Sequence, residues 1–69
     1  MNAMEWLTAY AEKLGIDPPT KDELKTLLDL ASEAAHSSQR IAAPIACWLA
    51  ARAGRSPDEA LALARELGG

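Results

Sequence analysis

Apolar residues recur along this 69-residue chain at intervals of three and four, in four runs separated by short stretches of Gly, Pro, Ser and charged residues. The first run is Leu7, Tyr10, Ala11 and Leu14. Asn2 with Glu5 three residues later reads as a capping box. Gly15 is the left-handed residue that closes a helix, and Asp17-Pro18-Pro19 cannot continue it. The pattern predicts a helix over 3–14. The second run is Leu24, Leu27, Leu28, Ala31, Ala34 and Ala35, opened by Thr20 with Glu23 as the box partner and ended near His36-Ser37-Ser38. Its side chains taper from large to small, which lets a neighbouring backbone come close around Ala31–Ala35.

In the third run Ile41, Ile45, Trp48 and Leu49 form a stripe flanked by Ala42, Ala46, Ala50 and Ala53, with Gly54 as the stop. In a helix interior the Pro44 ring would meet the carbonyl four residues back, so the helix either starts near Ala43 with Pro44 at the first position or begins earlier and kinks there. The expectation is a start near Arg40, with Pro44 in the first turn or just beyond. The fourth run, Ala60, Leu63, Ala64 and Leu67, has Leu61 at its edge and Gly68-Gly69 at its end. It follows Ser56-Pro57-Asp58-Glu59: cap, proline, acidic first turn and box-closing glutamate. Connections of about two to six residues join the four helices. The expectation is an all-α fold, a small antiparallel bundle of four short helices spanning 1–69 as one domain.

Composition supports this. The chain has 15 alanines, ten leucines, no valine and no phenylalanine, so a sheet is excluded in favour of helices. At 7.3 kDa it should fold to roughly 4,200 Å² of surface and bury about 60% of what its extended chain exposes. Stability is then marginal, and a homodimer or another partner is expected to supplement it.

Charge and cysteine content narrow the functional classes. A net charge of −3, with no basic cluster, argues against nucleic-acid binding. No apolar run is long enough for a membrane span, and no basic, apolar leader opens the chain. With a lone thiol, these features predict a cytoplasmic protein. One His and one Cys make no metal cage, the acidic residues serve as helix starts, and Cys47 lies among apolar residues as a small core side chain. No catalytic residue, metal or cofactor is expected, and the chain is not read as an enzyme. Trp48 is expected mainly in the core.

One polar constellation stands out. His36, Ser37, Ser38 and Arg40 fall within five residues at the corner between the second and third helices. Backbone N–H groups at the following helix start, beside a guanidinium and an imidazole, could hold a phosphate or carboxylate. The other reading has His36 and Arg40 capping helix ends and pairing with Asp29, Glu33 or a carbonyl. Trp6 is equally suited to a core rim or to an interface anchor. The candidate ligand or partner residues are therefore His36, Ser38, Arg40 and Trp6.

The central stretch also carries a resemblance. Leu28-Asp29-Leu30-Ala31, Ala35-His36 and Arg40-Ile41-Ala42-Ala43-Pro44, with Trp6-Leu7 before and Ala53-Gly54 after, resemble an uncharacterised short actinobacterial helical domain family. Its members occur alone or fused C-terminally to molybdenum cofactor guanylyltransferase. The resemblance runs from about Trp6 to Gly54, and Ser32 stands where the family carries a basic residue. It implies a non-catalytic accessory domain linked to molybdenum cofactor maturation, with the guanylyltransferase as partner and His36, Arg40 and Pro44 as the family-like positions. The alternative is a small anion- or nucleotide-cofactor-binding domain using the His36/Arg40 corner.

Overall fold

In the computed structural model, which describes residues 1–68, four helices follow one another: α1 (Ala3–Leu14), α2 (Lys21–Ser37), α3 (Ala42–Arg52) and α4 (Pro57–Gly68). The expected stop at Gly68-Gly69 lies half outside this range: Gly68 is the last helical residue and Gly69 is outside the described residues.

The helix ends follow local chemistry. Asn2 and Glu5 exchange hydrogen bonds of 2.8 and 3.1 Å, and Thr20 and Glu23 do the same at 3.0 and 2.9 Å. Each pair satisfies backbone donors that a helix start leaves free. Gly15 and Gly54 take φ of 78° and 72°, a conformation costly for any residue with a Cβ. Each closes its helix with a Schellman pair: Gly15 N–H to Glu12 O with Ile16 N–H to Ala11 O, and Gly54 N–H to Ala51 O with Arg55 N–H to Ala50 O.

The start of α4 couples capping to pH. The Ser56 N–H donates to Glu59 Oε1 at 3.1 Å, the Glu59 N–H donates to Ser56 Oγ at 3.2 Å, and Arg55 Nη1 lies 3.7 Å from Glu59 Oε2. Hydrogen bonds from Ser56, and then the Arg55 charge, hold the Glu59 carboxyl below its ordinary pKa. A depressed folded-state pKa means that this contribution is complete above the ordinary carboxylate value and fades as pH falls through the lowered one. The melting temperature of the native chain should therefore drop more steeply on acidification than that of Glu59→Gln. Parallel profiles for the two proteins would remove this carboxylate from the stability of α4.

Three of the helices pack together. α2 is the centre and lies against both α3 and α4, whereas α1 shares no close helix–helix interface with any of them. α3 returns antiparallel to α2, with the Cys47 thiol 3.9 Å from the Leu27 carbonyl. α4 runs in the same direction as α2. At their starts Thr26 Oγ1 donates to Asp58 Oδ1 at 3.4 Å, and at their ends a methyl group added to Gly68 would run into the Glu33 carboxylate. Parallel helices place two positive dipole ends side by side. Asp22, Glu23 and Asp58 line the depression between those ends and offset the repulsion.

The core is small. Leu30, Ala60 and Leu61 form its main cluster, with Leu27, Cys47, Ala50 and Ala64 packed against it, and Ala11 of α1 is buried outside that cluster. Leu61, expected at an edge, is buried, while Leu63 and Leu67 of the expected stripe are exposed. The larger departure is in α3. Its alanine and cysteine side, including Cys47 and Ala50, meets the core, and Ile41, Ile45, Trp48 and Leu49 point outward. Trp48, expected in the core, is 57% exposed. A helix that is apolar all round can bury either side, and the smaller side allows the closer approach to α2.

Candidate functional site

The corner between α2 and α3 is built by a helix that ends on its own side chains. Ser37 Oγ donates to Glu33 O at 2.6 Å and Ser38 Oγ donates to Ala34 O at 2.7 Å, so both hydroxyls are spent on carbonyls of the last turn. His36, also in that turn, is exposed, and its Nδ1 lies 3.3 Å from Ser32 Oγ. Its contact is thus with Ser32, not with Asp29 or Glu33. Arg40 is exposed in the connection and forms no ion pair among the described residues.

The start of α3 explains what this corner can offer a ligand. The chain enters through a tight turn in which the Ala42 N–H donates to Gln39 O at 2.9 Å and the Ala43 N–H to Arg40 O at 3.1 Å. Ile41 caps the helix without a side-chain hydrogen bond, and Pro44, third in the helix, has no N–H. Pro44 therefore sits in the first turn, as expected, with the helix beginning two residues after Arg40. The donors that would have faced an anion are already bonded or missing. The depression beside the corner is lined by Ser38, Gln39, Ile41, Ala42 and Ile45, and is mainly apolar.

Trp6 is not part of this corner. It lies on α1, 54% exposed, with its ring stacked on Tyr10 at 5.1 Å between centroids. The hollow it borders is made by Met1 and, on α1, Ala9, Tyr10 and Lys13. The structure thus keeps His36, Ser38 and Arg40 together through sequence adjacency and sets Trp6 on a separate surface.

Sequence reasoning missed the outer face of α3. Ile41, Ile45, Trp48 and Leu49 form a continuous strip, and the Arg52 guanidinium lies over the Trp48 ring at 5.1 Å from its centroid. The signal was present: from Ala42 to Ala51 the helix has no charged or amide side chain, so it has no side suited to water. On α1, Trp6, Tyr10 and Leu14 are likewise exposed, followed by Ile16. Cys47 lies on the inner side, where burial pushes its thiol above its ordinary pKa and away from nucleophilic chemistry. Among the described residues no group of three or more His, Cys, Asp or Glu could hold a metal ion, and no helix is long and apolar enough to cross a membrane.

The family model described as a domain of unknown function (DUF6457) matches residues 1–68. No curated protein and no solved structure matches the chain.

Proposed function

This chain belongs to the family described as a domain of unknown function (DUF6457), and we propose that it acts there as a non-catalytic interaction domain, an accessory to a larger enzyme in the cytoplasm. The observation that carries this reading is the set of large apolar side chains left uncovered on α1 and α3. Trp, Tyr and Arg are the residue types enriched at the energetic centres of protein interfaces. Here Trp6 stacks on Tyr10, and Arg52 lies over Trp48. The resemblance of its central stretch to a domain fused behind molybdenum cofactor guanylyltransferase supplies the partner, that enzyme, and a role in cofactor maturation. The anion- or nucleotide-cofactor-binding alternative has less behind it, because the N–H groups at the start of α3 are bonded or absent.

The test is co-migration. The chain and the guanylyltransferase of the same host, mixed at micromolar concentrations, should elute together in size-exclusion chromatography. Separate elution at those concentrations would overturn the assignment of this partner.

A further inference from the structure

We propose that the chain is a reciprocal homodimer in which α1 of each copy covers the outer face of α3 of the other. This rests on the interaction-domain reading and names the occupant of the α1 and α3 faces, so that the enzyme meets an assembled dimer through the large apolar side chains outside them, Ile16, Leu28, Leu63 and Leu67.

The chain exposes 5453 Å², whereas a compact monomer of its mass exposes about 4,200 Å². Its radius of gyration is 12.3 Å, against about 11 Å for a compact domain of this length. The excess is roughly 1,250 Å² per chain, or about 2,500 Å² for a pair, which falls in the range of stable dimer interfaces.

That excess can be placed on two helices. α1 buries Ala11 but has no extensive interface with another helix and leaves Trp6, Tyr10 and Leu14 uncovered, and α3 presents Ile41, Ile45, Trp48 and Leu49. The two helices match in length, at 12 and 11 residues, or about 18 and 16 Å. Two-fold symmetry then forms the same α1–α3 contact twice and leaves neither face open.

The two faces also differ in charge. The stretch from Ala34 to Pro57 has no acidic residue and carries Arg40 and Arg52 as well as Arg55, whose charge already faces Glu59. The segment containing α1 carries Glu5, Glu12 and Asp17 against Lys13. Opposite net charge steers one segment toward the other copy's complement, while the apolar contact supplies the affinity.

The experiment uses the full chain and two variants at exposed positions, Trp6→Glu on α1 and Trp48→Glu on α3, with helix content checked by circular dichroism. Light scattering after size exclusion should give twice 7.3 kDa for the native chain and 7.3 kDa for each variant alone. An equimolar mixture of the variants should return to the dimer mass, because pairing them leaves one of the two α1–α3 contacts with no substitution. A native chain that stays monomeric at high micromolar concentration overturns the proposal, as does a mixture that stays monomeric, the result expected when α1 pairs with α1. A monomeric native chain that still co-migrates with the guanylyltransferase defeats the dimer and leaves the interaction-domain reading standing. A dimer that ignores the enzyme supports the proposal and removes that partner alone.

Discussion

Replacing Leu30 by Ala should remove a large part of the protein's stability and shift its urea midpoint well below that of the native chain. Leu30 is 3% exposed, the most buried side chain of the core, and sits on the one helix that touches both α3 and α4. A Leu→Ala change at such a site costs about 2–5 kcal/mol, through lost transfer energy and the cavity left behind. A chain of this length has only about 3–10 kcal/mol of total stability. With so few buried residues, no second layer of core can take up the loss. Leu28→Ala is the matched control, since the same atoms are removed from a side chain that is 61% exposed. It should stay within about 0.5 kcal/mol of the native chain. Urea midpoints followed by circular dichroism would show the difference. Equal midpoints for the two variants would mean that α2 is not the centre of the bundle.

That contrast also shows what the sequence could and could not disclose. Helix starts and stops depend on hydrogen bonds within a few residues, so Asn2, Thr20, Ser56, Gly15 and Gly54 announce them without knowledge of the rest of the fold. The all-α class follows from the same local signals. Orientation is different. Periodicity placed Leu28 on the stripe with Leu24, Leu27 and Ala31 and left Leu30 off it, whereas the fold buries Leu30 and exposes Leu28. The choice between them depends on where α3 and α4 lie around α2. In α3 the ambiguity is complete, because alanine and isoleucine are both apolar and no polar residue marks an outer side before Arg52. Periodicity selected the face of large residues as the buried one, and the close approach to α2 selected the small face instead. The corner formed by His36, Ser38 and Arg40 could be read as a polar cluster. That its hydroxyls and N–H groups would be consumed by the turn could not, since those bonds depend on the path of the chain through Gln39 and Ile41.

The small side chains along α4 lead to the second large effect: Ala60→Leu should destabilise the protein by about 1–3 kcal/mol, as overpacking does in other cores. Ala60, Ala64 and Gly68 recur every four residues, and Ala60 is 7% exposed against the centre of the core. At the far end of the seam Gly68 lies beside the Glu33 carboxylate, the movable tip of a long side chain, so the close packing is concentrated at Ala60. A parallel pair gains nothing from its dipoles, so α4 depends on close contact to stay on α2. The isobutyl group that replaces the Ala60 methyl must displace either the α4 backbone or Leu30, and each displacement opens space around the other core residues. Ala62→Leu adds the same atoms on the exposed side of α4 and should leave the midpoint nearly unchanged. If Ala60→Leu proved as stable as Ala62→Leu, the α2–α4 seam would not be the close-packed contact on which the bundle depends.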